Sequence, residues 1–244
     1  VLGFVKSDPQ TGAPTLRFDN LPEIKLGDFD LSKIELPDVS KLTEKLPKWA
    51  YGVNPNGLTI KTLRAGDGEA VFVCADGYTM LVGAGSGTGA ALCGQLLLCG
   101  VNHLSAAVAM GSEDEQLSAM KMALGLTRPD YLFVPPTQTK GKAYARMIDA
   151  AEKRGTQIVS ATQNMAFTLG RARVTFIGPA RTQHTDSRDD GLTLRIDYGE
   201  TSAVVTGCIT ASGEKEIVAS GAAVSVASGS AVSVVSGAAV PVVS

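Results

Sequence analysis

The stretch Ala109-Met110-Gly111-Ser112-Glu113-Asp114-Glu115-Gln116-Leu117-Ser118-Ala119-Met120 joins two different patterns. Leading into it, Leu104–Met110 is apolar except for Ser105 and of strand length. After it, Leu117–Leu126 places apolar residues at helical spacing. Between them stand a glycine, a serine and three acids. Ser112 and the acids suit a helix N-terminus, where a hydroxyl and negative charge satisfy free N–H groups. The same carboxylates could weakly hold a hard cation. A strand that ends in a turn and feeds a helix is the unit of an α/β body.

The same alternation extends outward. Upstream, Leu58–Leu63 and Ala70–Cys74 have strand character, Asp76-Gly77 is a hairpin turn signal, and Tyr78–Val82 is the next strand. Gly83–Gly89 lacks the Lys-Ser/Thr of a phosphate-binding P-loop and fits a strand-to-helix turn before an apolar helix around Ala90–Cys99. Downstream, Tyr131–Val134 is a strand, Lys142–Arg154 a helix and Gln157–Val159 a strand. Met165–Leu169, Ala172–Ile177, Leu192–Tyr198 and Ser202–Thr206 then follow at antiparallel spacing. Strands alternating with helices, followed by a run of strands, predict layered sheets.

The flanks differ. Residues 1–56 are Pro-punctuated, with a five-residue rhythm (Ile24–Asp28, Phe29–Lys33, Ile34–Asp38) of apolar–charged–apolar triplets that predicts an extended arm. Residues 220–244 carry no charge and repeat with period eight from Ser220, Ser228 and Ser236. Each unit is a Val-rich strand headed by a turn signal. Such strands present unpaired edges without gatekeeping charge. The chain opens on Val1, as a processed chain or a fragment would, and residues 1–50 hold no basic region followed by an apolar one.

Composition narrows the function. With 22 Lys+Arg against 24 Asp+Glu the net charge is −2, so the electrostatic basis for nucleic-acid binding is missing. No apolar run reaches membrane-spanning length. Cys74, Cys93, Cys99 and Cys208 form no CxxC, and Cys93 and Cys99 are too far apart along a helix to pair. Cys208 has no histidine placed by sequence to activate it as a nucleophile. There are only two histidines: His103 before a strand, and His184 in a polar loop with Asp186, Arg188, Asp189 and Asp190. Both read as ordinary loop or edge residues.

Thr62–Ala70, Met80–Ser86, Ala109–Met120, Ile177-Gly178-Pro179, Leu192–Tyr198 and Val205–Cys208 together resemble the metallo-β-lactamase superfamily, and within it the secreted hydrolase domain related to bacterial DNA-uptake channel proteins. The resemblance covers about residues 57–219. It implies an αββα sandwich flanked by the N-terminal arm and the β-forming C-terminal repeat. It also locates the family's chemistry, which departs from the family pattern throughout. The Leu-Asp-Val-Gly-Gln-Gly-Asp-Ala strand end is here Leu63-Arg64-Ala65-Gly66-Asp67-Gly68-Glu69-Ala70. The Asp-Ala-Gly is Gly83-Ala84-Gly85. In the Thr-His-x-His-x-Asp-His motif, Met110 stands for the threonine, Gly111, Glu113 and Gln116 for the histidines, and Glu115 for the aspartate. Cys208 replaces the bridging aspartate after Gly207, and the final Gly-His-His-Gly has no counterpart.

A dizinc centre needs imidazole and carboxylate ligands in fixed geometry around an activated water, and these positions do not supply them. The expectation is therefore a protein with no catalytic residues, no metal and no cofactor. It is expected to be structural or self-assembling and extracellular or at the cell surface, a filament subunit being one form. Its partner would be a second copy of itself, engaged through the arm and the C-terminal strands. The alternatives are a metal-dependent hydrolase of phosphodiesterase or lactamase type, and a binding module that kept the family cleft.

Overall fold

The computed structural model describes residues 53–65, 68–85, 89–111, 114–136 and 141–220, together with three short strands at 5–7, 14–16 and 232–236. Two compact units divide the chain at Asp38. In the first, β1 (Val5–Ser7) pairs antiparallel with β2 (Pro14–Leu16). The Ile24–Asp38 rhythm lies outside the described residues.

The second unit contains two sheets. The first has six strands in sequence order: β3 (Leu58–Ala65), β4 (Gly68–Ala75), β5 (Tyr78–Val82), β6 (Ala106–Val108), β7 (Tyr131–Val134) and β8 (Gln157–Ser160). The β3–β4–β5 pairs are antiparallel. From β5 to β8 the strands are parallel, and the intervening segments carry helices α1 (Gly89–Leu98), α2 (Asp114–Thr127) and α3 (Lys142–Glu152), as parallel crossovers require. The strand side chains split by parity. Phe72, Leu81, Ala107 and Leu132 pack with Leu92, Leu96, Met120, Leu124 and Met147 of the helices. Val71, Val73, Met80, Val108 and Phe133 face the second sheet. Burial on both faces explains the apolar runs Ala70–Ala75, Met80–Val82, Ala106–Val108 and Leu132–Val134.

The second sheet is β9 (Ala166–Leu169), β10 (Ala172–Gly178), β11 (Thr193–Tyr198), β12 (Thr201–Gly207) and β13 (Val232–Ser236), again in sequence order. The first four strands are antiparallel. Between the sheets, the rings of Phe133, Phe167 and Phe176 cluster, with centroids 4.6 Å apart for Phe133–Phe167 and 5.2 Å for Phe133–Phe176. On the far face of the second sheet, Ile217 of α4 (Ala211–Ala219) lies against Gly178, where a Cβ would stand 2.8 Å from its Cδ1. The layering is helices, sheet, sheet, helix.

The architecture departs from the sequence expectation most over Ala211–Ala219, a helix where none is expected; α2 starts at Asp114, three residues before the expected Leu117; and β6 is Ala106–Val108, shorter than the expected Leu104–Met110, since only these residues pair on both sides. Of the C-terminal repeat, Val232–Ser236 forms a strand that pairs in parallel with β12 of the same chain, Ser202 opposite Val232 and Val205 opposite Val235. Residues 221–231 and 237–244 lie outside the described residues.

One polar cluster fastens the two sheets at their turns. The β4–β5 hairpin turns on Asp76 and Gly77, both at positive φ (51° and 88°), which is why Asp-Gly suits it. Arg171, in the β9–β10 turn, donates to Asp76 from its backbone N–H (2.9 Å) and from its guanidinium (2.7 and 3.0 Å), and Tyr198 donates from its hydroxyl (2.8 Å). A Cβ at Gly170 would stand 2.6 Å from the Ala75 carbonyl oxygen, so only glycine permits this approach. The Arg171 side chain and backbone, then Tyr198, hold the Asp76 carboxyl well below its ordinary value of 3.8. A lowered folded value contributes stability that is present above the unfolded value and is lost as pH falls below it. Urea midpoints are therefore expected to fall between about pH 5 and about pH 2, with part of the fall removed in Asp76→Asn. An identical fall in the variant would show that the cluster contributes nothing.

Candidate functional site

The ends of β6 and β12 meet the start of α2 and the loop 187–192. Met110, just past β6, accepts a hydrogen bond on its carbonyl from the Leu192 N–H (2.7 Å), which joins the two sheets there. Around this contact lies a cleft lined by Met110, Gly111, Gln116, Ser187, Arg188, Gly191, Leu192, Thr206, Cys208 and Ile209. Its volume is about 20 Å³, room for one water-sized group. Two glycines pack closely against Met110 here. A Cβ at Gly191 would stand 2.8 Å from the Met110 carbonyl oxygen, and one at Gly207 would stand 2.8 Å from Met110 Cε.

Three of the five positions singled out in the sequence meet at this cleft. Gly111 and Gln116 come from the β6–α2 junction and Cys208 from the end of β12. The Gln116 Nε2 donates to Cys208 Sγ at 3.5 Å. The Gln116 Oε1 sits 3.2 Å from where a Cβ on Gly111 would be, so the amide occupies space that a larger residue at 111 would need. Glu113 lies outside the described residues, and Glu115 is placed in the first turn of α2 by its backbone only.

A dizinc centre requires several nitrogen and carboxylate donors converging on one point. Gly111 offers none, the Gln116 amide nitrogen is a donor turned to sulfur, and Cys208 is the one strong ligand type of the three. Among the described residues no three His, Cys, Asp or Glu converge as metal ligands would. These residues do not fit the centre. The purified protein is expected to carry no stoichiometric zinc; one or two zincs per chain by elemental analysis would overturn this.

The two histidines are not alike. His103 is an exposed partner of Asp130 at 3.0 Å. His184, read from sequence as an ordinary loop residue, is buried, with 6% of its side chain exposed. Its Nδ1 faces Asp190 Oδ1 at 2.8 Å, and its Nε2 faces Glu216 Oε2 of α4 at 3.1 Å. Arg181 holds the other Glu216 oxygen at 3.0 Å. Beside it, buried Asp189 accepts from the Thr210 N–H (2.7 Å) and hydroxyl (2.8 Å) at the N-cap of α4. This network ties the loop behind the cleft to α4. Sequence reading missed it because Glu216 is 32 residues from His184; the Thr210 cap was the legible signal.

No protein-family model and no curated protein matches the chain. Solved structures do. The metallo-beta-lactamase fold protein YhfI from Bacillus subtilis matches at 15% identity over 61% of this chain and 61% of that chain, with a TM-score of 0.42. The Rm3 metallo-beta-lactamase matches at 11% identity over 67% and 66%, with a TM-score of 0.45. CmlA, a diiron beta-hydroxylase from Streptomyces venezuelae, matches at 16% identity over 62% of this chain and 29% of that one, with a TM-score of 0.40. The layering of helices, sheet, sheet and helix agrees with the αββα sandwich expected from the sequence. The chain spans less than a third of CmlA and about three fifths of YhfI. Among the described residues no helix is long and apolar enough to cross a membrane.

Proposed function

We propose that this metallo-β-lactamase-like chain is a non-catalytic, self-associating protein of the cell exterior or surface. The observation that carries the non-catalytic reading is the cleft itself. Gly111, Gln116 and Cys208 meet where the sequence resemblance puts the metal centre, and they form a contact with one another in place of a ligand set.

Self-association is supported by the strand at the edge of the second sheet. β13 enters parallel to β12, from a segment beginning after Ser220. Twelve residues, 221–232, reach about 40 Å when extended, enough to place the strand on the same edge of another copy. The three repeat units share one pattern, so each could take the β12 register. In this reading the chain associates by exchanging a strand that it can also keep.

Light scattering on the intact chain and on a chain ending at Ala219 tests the proposal. The intact chain is expected to form homo-oligomers whose mass grows with concentration, and the truncated one is expected not to. An intact chain that stays monomeric at micromolar concentration would leave β13 as an intramolecular strand only. Metal-dependent hydrolysis of phosphodiesters or β-lactams by the intact chain would overturn the non-catalytic reading.

A further inference from the structure

The buried histidine closes a set of charges. His184 places Nδ1 2.8 Å from Asp190 Oδ1 and Nε2 3.1 Å from Glu216 Oε2. Among the described residues, the charged groups facing the ring are Asp190 from its own loop and Glu216 from α4. Arg181, after β10, stands behind Glu216 on its other oxygen at 3.0 Å. The nearby Asp189 carboxylate is taken up by the Thr210 N–H and hydroxyl, and Asp186 by Arg188. Ionised carboxylate oxygens only accept, so both ring nitrogens must carry hydrogen to satisfy both contacts. That form is the imidazolium, and with it the network holds two positive and two negative groups. A neutral ring keeps one N–H and turns a lone pair toward the other carboxylate. The two contacts are not equal. Asp190 Oδ1 also accepts from the His184 backbone N–H at 2.9 Å, within one loop. Glu216 is reached across 32 residues and at the longer distance, so the contact to α4 is the one that opens. One turn further along, Ser220 Oγ accepts from Gln163 Nε2 at 3.2 Å and donates to the Ile217 carbonyl at 2.7 Å.

We propose that His184 is a proton-operated latch on α4. With the ring charged, its loop and the last turns of α4 are clamped together. Loss of the ring proton opens the Nε2–Glu216 contact and loosens the C-terminal half of α4 from the second sheet, while Asp190 keeps the ring in its loop. The clamp contributes while the ring is charged, and its contribution is lost as rising pH removes the proton. Histidine is the side chain whose charge changes in the physiological range, which makes the latch responsive to ordinary changes of surroundings.

The test uses the full chain. Amide hydrogen exchange, corrected for the intrinsic rate, is followed by mass spectrometry between about pH 5 and about pH 9, alongside the His184 ring protons by NMR. Protection of the α4 amides is expected to fall about tenfold as the ring loses its proton, the worth of one hydrogen bond to a charged group, with the amides of β10 and β11 unchanged. In Glu216→Gln the fall is expected to vanish, because an amide both donates and accepts and so fits either form of the ring. His103→Asn removes the other histidine and is expected to keep the fall. The scan of the unaltered chain needs no variant, so a failure of Glu216→Gln to fold leaves the test intact. An α4 protection that does not follow the His184 titration, the same fall in Glu216→Gln, its loss in His103→Asn, or an equal fall in β10 and β11 would each overturn the proposal.

Discussion

Replacing Phe176 by alanine is expected to cost about 3–5 kcal/mol of folding stability. Phe176 is completely buried and stands between the sheets, its ring 5.2 Å from Phe133 and 6.0 Å from Phe167. The truncation removes the transfer energy of the ring and leaves a void that two facing sheets cannot close, because each is held by its own ladder. Against a total stability of about 5–15 kcal/mol, the loss brings the variant close to unfolding at ambient temperature. Phe167→Ala removes the same ring from a half-buried position and is expected to cost clearly less. Urea unfolding of the two variants checks this; equal losses would mean that the space between the sheets is not the centre of the core.

The second large effect concerns the buried histidine. His184→Leu keeps approximate volume and removes both ring nitrogens, leaving the carboxylates of Asp190 and Glu216 without the group between them. Breaking a fully buried pair costs about 3–5 kcal/mol; the Asp190 and Glu216 side chains are 15% and 29% exposed and Arg181 still holds one Glu216 oxygen, so a smaller loss, about 2 kcal/mol, is expected. The decisive measurement is the combination. Adding Glu216→Gln to His184→Leu is expected to recover part of the loss, since it neutralises one stranded carboxylate. Strictly additive losses would show that the ring acts by packing and not through its two carboxylates.

What the sequence made legible follows from how local each signal is. The Asp76-Gly77 hairpin could be read directly, because two adjacent residues must both adopt positive φ and few pairs do so easily. The central parallel strands could be read because burial on two faces leaves apolar runs such as Met80–Val82, Ala106–Val108 and Leu132–Val134. The positions Gly111, Gln116 and Cys208 could be grouped only through a family resemblance, and the structure does bring them together. Helix α4 was missed for a physical reason. Its segment holds Ser212 and Gly213, poor helix formers, and Gly213 is there because Asp189 Oδ1 would lie 2.5 Å from a Cβ at that position. Tertiary packing chose a residue that conceals the helix. The role of His184 was equally hidden, since one of its partners lies on that unread helix.

The fit of Gln116 against Gly111 limits what single substitutions can build in this cleft. An imidazole at position 111 would have to displace the Gln116 amide from its place against Cys208, and an imidazole at 116 alone would face a glycine and a thiol. Each substitution alone breaks the present contact before any ligand set exists to replace it, so ligands would have to enter at several positions together, and the closed arrangement works as a lock with more than one key.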